Sequence, residues 1–181
     1  MTKRSAGILL YRRQSSGLEV FLIHPGGPFW AKKDSWSIPK GEYGSDHGAD
    51  ETALAAARRE FQEETGSPLA LDLPNDRFIP LGVIHQPAGK EVTAWAVEGD
   101  FDPAALVSNT CMVEWPPRTG RQIEIPEADR GAWFDLATAR KKIFRGQESF
   151  LDRLESRLES HLESHPETHL KADVARRPSS H

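Results

Sequence analysis

One stretch of this chain has little conformational freedom: Asp50 to Thr65 is rich in alanine, holds neither glycine nor proline, and runs directly into Gly66. Alanine, glutamate and arginine favour the helix, Asp50 carries a side chain suited to an N-cap, and a glycine can take the left-handed turn that ends a helix. The stretch therefore predicts a helix over 50–65. Residues three and four apart share a helix face, so Glu60, Glu63 and Glu64 fall within an arc of about 100°. Leu54, Ala57 and Phe61 form the neighbouring stripe, an apolar seam able to pin the helix to a sheet. Carboxylates so close raise one another's pKa and destabilise the fold unless a cation or an arginine neutralises them. Arg59 stands four residues before Glu63 and can brace it. All-oxygen ligands suit a hard cation, Mg²⁺ or Mn²⁺. The bland alternative is a solvated face of an amphipathic helix, the commoner fate of such charges.

Charge is concentrated around this segment. Seven acids and two bases between Gly41 and Gly66 give a local charge of −5, while the 181-residue chain as a whole carries −4. An overall negative charge gathers no polyanions, so a nucleic-acid partner is not expected, and a phosphate substrate must be held locally by a cation or a few basic side chains. The single cysteine, Cys111, excludes an intramolecular disulfide and argues for a reducing, cytoplasmic setting. The first apolar run, Ala6 to Leu10, is too short for a signal-peptide core or a membrane span, so no membrane partner is expected.

Apolar runs at Ser5 to Tyr11 and Leu18 to His24 predict two strands joined by a polar loop, Arg12 to Gly17. Phe78 to His85, Val92 to Val97 and Gln122 to Ile125 predict further strands. A short helix is expected over 136–143 and a longer one from about 147 to 164, where Leu154, Leu158 and Leu162 recur every four residues. That leucine stripe can pack internally or across a homodimer contact; packing within a monomer is the favoured reading. Residues 1–164 read as a single domain, and 165–181, polar and poor in apolar residues, as a disordered tail.

Arg59-Glu60-Phe61-Gln62-Glu63-Glu64-Thr65-Gly66, with Glu51 seven residues before Arg59 and Gly41 further upstream, resembles the Nudix box. Two features depart from its pattern. Nine residues separate Gly41 from Glu51 where the pattern has five, an insertion around Tyr43 to Asp50; Phe61 and Ser67 stand where aliphatic residues are usual. The resemblance implies an α/β (α+β) Nudix fold, a mixed β-sheet sandwiched between helices. It also implies a Mg²⁺-dependent hydrolase that cleaves a diphosphate bond in a nucleotide-like substrate, with a non-catalytic nucleotide- or protein-binding module as the alternative. Carried over by position, Glu60 and Glu64 are the ligands, Glu63 a ligand or bracing partner, and the Lys40 carbonyl completes the set. Glu60 is also the candidate base, and Glu51 braces the loop against the helix.

Trp36-Ser37-Ile38-Pro39-Lys40-Gly41-Glu42 resembles the segment before the box in Nudix enzymes acting on dinucleoside polyphosphates or inositol pyrophosphates. Segments around Trp115-Pro116-Pro117-Arg118 and Arg121 to Arg130 are similar to a bacterial, NTP-pyrophosphohydrolase-like subgroup. There Arg118 and Arg121 are candidate phosphate grips and Glu124 an additional ligand or base, against the alternative of a stiff surface loop. His24 and His85 are assigned structural roles, as are Trp36, Trp95 and Trp133, whereas Trp30, beside a Gly/Pro turn, is a candidate base-stacking residue.

Overall fold

The computed structural model describes residues 3–44, 51–86 and 89–164. Two long strands, β1 (Arg4–Gln14) and β2 (Gly17–Pro25), form a tight hairpin whose register runs from Tyr11 opposite Val20 to Gln14 opposite Gly17. Both strands read as continuous apolar runs because both of their faces are covered. Ala6, Ile8 and Leu10 alternate with Leu9 and Tyr11 in pointing to opposite sides of the sheet, as do Phe21 and Ile23 with Val20 and Leu22.

Around this hairpin the main sheet is completed by β3 (Lys40–Glu42), β4 (Ile79–Gln86), β5 (Lys90–Glu98) and β8 (Ala128–Asp135), in the order β4-β5-β1-β2-β8. β1 and β5 run parallel and the remaining pairs antiparallel, so the sheet is mixed. The segment 37–42 inserts between the ends of β1 and β2: the Ile8 N–H donates to the Pro39 carbonyl, and Ile23 exchanges backbone bonds with Ser37. β3 then pairs with residues 5–7 of β1. At Gly7 a side chain would meet the Lys40 Cβ and the Pro39 carbonyl, each 2.6 Å away, so a glycine is required where the inserted segment crosses.

One face of the sheet is covered by α1 (Ala53–Thr65), with the short α2 (Leu69–Asp72) beside it. The opposite face is covered by α3 (Leu136–Lys142) and α4 (Glu148–Ser164), the latter burying Phe150, Leu151, Leu154 and Leu158. Leu154 and Leu158 thus face the chain's own core. Two cores, one on each side of the sheet, give the expected sandwich of helices around a mixed sheet. No described helix is long and apolar enough to cross a membrane.

The expected elements need several corrections. α1 begins at Ala53 rather than at Asp50, because the Thr52 hydroxyl accepts from the Ala55 N–H at 3.2 Å and caps the helix there. Asp50, most of the inserted loop and the segment 165–181 lie outside the described residues. Strands β1 and β2 each extend beyond their apolar runs, so the loop between them shrinks to a two-residue turn. β6 (Thr110–Glu114) and β8 gave no clear signal in the sequence. Among the described residues β6 pairs only with β7 (Gln122–Pro126), in a separate two-stranded sheet whose residues alternate between exposed and half-buried.

Candidate active site

Local sequence sets α1 up to present its acids. Ala57 and Phe61 are fully buried against the sheet and hold the helix at fixed height. Gly66 ends it at φ 77°, donating its N–H to the Gln62 carbonyl at 2.7 Å. Two more terminal carbonyls are met by the chain leading into β6: Val107 N–H donates to Thr65 at 3.0 Å and Asn109 N–H to Glu63 at 2.7 Å. Arg58, facing away from the acids, donates to the carbonyls of Ala70, Leu71 and Leu73 and to the Asn75 side chain. It ties the chain after α1 back onto the helix.

Glu60, Glu63 and Glu64 line one cleft of about 650 Å³, together with Lys40, Gly41 and Glu42 from β3. The Arg59 guanidinium reaches into this wall. It donates to both Glu51 oxygens at 2.9 and 3.1 Å, to Glu60 at 2.6 Å and to Glu63 at 3.0 Å. Glu51 therefore joins the chain before the helix to the middle of α1. Glu64 accepts from the Lys40 N–H at 2.7 Å, which locks the helix to β3. Gly41 packs directly on the Glu60 carboxylate, in space that a Cβ would fill.

The segment ahead of β3 is secured by a buried side chain. The fully buried Gln147 accepts from the Ile38 N–H at 3.1 Å and donates to the Ser37 hydroxyl at 3.1 Å. Trp36 and Ile38, both buried in the core, anchor the segment that leads into β3.

The electrostatics of the cleft are strained in one direction. Burial pushes the Glu64 carboxyl up to about 8, against the opposing pull of Lys40. Burial, with a contribution from Glu63, raises Glu60 even though Arg59 lowers it, and burial and Glu63 raise Glu127. Lys40 is lowered by burial, with Glu64 opposing. Arg59 and Lys40 therefore do not fully offset the burial that disfavours the ionised form of Glu60 and Glu64. Among the described residues no group of three or more His, Cys, Asp or Glu side chains stands ready to hold a metal ion as placed. Arg59 occupies oxygens of Glu60 and Glu63, and the Lys40 N–H occupies one of Glu64.

The opposite wall comes from the end of β2 and from the β6–β7 hairpin: Pro25, Gly26, Trp30, Cys111, Ile125 and Glu127. Gly26 N–H donates to the Glu127 carbonyl at 3.0 Å and Glu127 N–H to Asn109 at 2.9 Å, which fastens this wall to the rest. Glu127 escaped the sequence reading. Its signal was weak: it continues the half-buried alternation of Ile123 and Ile125 along β7. The same alternation turns Glu124 away, where it accepts from the Thr110 hydroxyl at 2.6 Å. Arg118 and Arg121 are exposed around the hairpin's turn, and none of these three lines the cleft.

Trp36 is buried and Trp133 donates its indole N–H to the Phe101 carbonyl at 2.9 Å. His24 is enclosed, its two ring nitrogens meeting the Asp129 carboxylate at 2.9 Å and the Lys33 carbonyl at 2.7 Å. His85 is exposed near Glu91.

Comparison with known proteins agrees with this architecture. The NUDIX domain model matches residues 1–154, and the chain belongs to that family. Among solved structures it is similar to an Ap4A hydrolase from C. elegans, at 19% identity and a TM-score of 0.58 over 86% of this chain and 98% of that one. It is also similar to the NUDIX domain of Shewanella oneidensis NrtR, crystallised with ADP ribose, at 14% identity and a TM-score of 0.59 over 87% and 89% of the two chains. Against a MutT/nudix family protein from Enterococcus faecalis, at 18% identity and a TM-score of 0.51, 74% of this chain is covered but only 44% of that protein's length. Among curated proteins none matches. These similarities show the fold.

Proposed function

We propose that the chain is a Mg²⁺-dependent pyrophosphohydrolase that cleaves a diphosphate bond in a nucleoside diphosphate linked to a further group, with Mn²⁺ able to replace Mg²⁺. One observation carries this reading: Glu60, Glu63, Glu64 and Glu127 line a single cleft, and three of the four are held above the ordinary glutamate pKa. A donor set made only of oxygens, on carboxylates whose burial disfavours an unpaired negative charge, fits a hard divalent cation. The Nudix resemblance assigns Glu60 and Glu64 as ligands, Glu63 as a further ligand or brace, and the Lys40 carbonyl as the backbone donor. The bound ion would polarise the phosphoryl group and lower the pKa of the attacking water.

The chain's own residues supply the rest. Arg59 fixes Glu51, Glu60 and Glu63 relative to one another, and Lys40 fixes Glu64 through its N–H. Two carboxylates that line the cleft are the candidates to take the proton of the attacking water, Glu60 on α1 and Glu127 across from it. Raised pKa values suit that task, since a base works best when its pKa lies near the operating pH. A module that only binds nucleotides gains nothing from keeping mutually repelling carboxylates together, which disfavours the non-catalytic alternative.

The deciding experiment incubates the purified chain with Mg²⁺ and a panel of nucleoside triphosphates, dinucleoside polyphosphates and nucleotide sugars, and identifies the products. Metal-dependent cleavage of a diphosphate bond is expected. Binding without cleavage across the panel, with either Mg²⁺ or Mn²⁺, would favour the non-catalytic module.

A further inference from the structure

His24 is fully buried yet takes no part in the chemistry above. It continues the face of β2 that carries Val20 and Leu22, and its ring meets Trp36 edge-on at 5.4 Å. Its two nitrogens reach different elements. Nε2 lies 2.7 Å from the Lys33 carbonyl in the loop after β2, and because a carbonyl can only accept, Nε2 carries a proton. Nδ1 shares a proton with the Asp129 carboxylate, 2.9 Å away near the start of β8. Arg130 also approaches Asp129, at 3.4 Å, with its guanidinium 5.5 Å from the Trp36 ring centroid.

Asp129 occupies a special place in the sheet. The β2–β8 register runs from Phe21 opposite Trp133 to His24 opposite Arg130, and then to Pro25 opposite Ala128. Asp129 is therefore the extra residue of a β-bulge, with no residue opposite it in the ladder. The bulge reverses the alternation of side chains. Ala132 and Phe134 pack into the core under α3 and α4, and Trp133 into the core under α1; yet Ala128, an even number of residues before Ala132, packs into the core under α1. Glu127, and Ile125 two residues before it, thereby turn to the cleft. A regular strand through residue 129 would put them on the reverse face, since a slip of one residue exchanges the two faces. Gly26 shows how closely this junction is packed: a Cβ there would lie 1.9 Å from the Pro126 carbonyl oxygen, and its N–H donates to the Glu127 carbonyl.

We propose that His24 and Asp129 are a positioning pair: their hydrogen bond holds the bulge that turns the Glu127 carboxylate toward the α1 acids. This rests on the reading of Glu127 as a candidate base. Neither side chain lines the cleft, so the pair acts through the backbone between residues 127 and 129. A bulged residue lacks the pairing that fixes its neighbours, and here a side-chain bond takes its place. His24 is a firm anchor for that bond, being enclosed against Trp36 and tied to the Lys33 carbonyl. The precision matters because misplacing a reacting group by about 1 Å can cost on the order of 10²-fold in rate.

Amide hydrogen exchange tests the pair without any substrate. Asp129→Ala is expected to speed exchange at Gly26 and Glu127 by roughly tenfold or more, while Ile8, whose N–H donates to Pro39 in the main sheet, changes by less than about twofold. Asp129→Asn, which keeps an oxygen facing Nδ1, should restore most of the protection. Unaltered protection in Asp129→Ala, or an equal loss at all three amides, would overturn the proposal whether or not the chain is a hydrolase. Turnover supplies the second arm, measured with Mg²⁺ and the panel nucleotide that the wild type cleaves fastest. Asp129→Ala is expected to lower kcat roughly tenfold with KM changed by less than about twofold, and to lower kcat by less than about twofold in a Glu127→Gln background, where nothing is left to position. A comparable loss of kcat in both backgrounds would mark general damage and overturn the proposal. A wild type that cleaves none of the panel, with exchange behaving as expected, would support the pair and overturn the hydrolase reading alone.

Discussion

The two walls of the cleft are built on different principles. The α1–β3 wall is locked by charged hydrogen bonds, Arg59 to three glutamates and Lys40 to Glu64, over fully buried Ala57 and Phe61. The β6–β7 wall is a two-stranded sheet with no buried core of its own, fastened through the backbone at Gly26, Asn109 and Glu127. Isolated two-stranded sheets are marginal in water, so this wall takes its position from its attachments. The contrast separates a wall that holds charge in place from one that supplies shape.

The largest effect should come from the charged wall. Glu64→Gln or Glu60→Gln is expected to lower kcat by about 10²-fold or more with the circular dichroism spectrum unchanged; near-normal turnover would remove that residue from the chemistry. Gly41→Ala should come next. The added methyl meets the end of the flexible Glu60 side chain, which can swing aside, so the fold is expected to survive while kcat falls by roughly tenfold.

A third test concerns pH. The Glu64 proton is held more tightly in the folded chain than in the unfolded one, so this group makes the metal-free fold progressively less stable as pH rises from near 4.5 to about 8. Below that window both states are protonated and the effect vanishes. A divalent ion bound there competes with the proton, so Mg²⁺ should raise Tm by about twice as much at pH 8.5 as at pH 6.5. An equal shift at both values would separate Glu64 from metal binding. The smallest effect is expected on the hairpin's outer face: Arg118→Ala, Arg121→Ala and Glu124→Ala should each change kcat/KM by less than about threefold, because these side chains do not line the cleft. A tenfold loss from any of them would show that the hairpin folds inward over substrate.

How far the sequence reaches differs between the same two walls. The α1 acids lie on one helix, and helical spacing alone brings Glu60, Glu63 and Glu64 to one face; Gly66 ends that helix as expected. The start of the helix was less legible, since Asp50 and Thr52 can both cap and only the bond from Ala55 distinguishes them. Strands β1 and β2 were legible because burial on both faces makes them uninterrupted apolar runs. β8 was not, because residues 129–130 are exposed and its pairing with β2 rests on backbone bonds that carry no side-chain pattern. Arg118, Arg121 and Glu124 had the right chemistry for a phosphate site, yet strand alternation and the hairpin's turn carry them outside the cleft.

By itself the sequence determined the acidic helix, its cap glycine, the apolar strands and the box that marks the family, because each depends on residues close together along the chain. Only the tertiary structure decided that Glu127 faces the α1 acids, that Gln147 holds the segment before β3, and that Lys3 joins Lys90 on Glu42. Those contacts join residues far apart in sequence, and their geometry follows from strand order and packing, which no local spacing encodes.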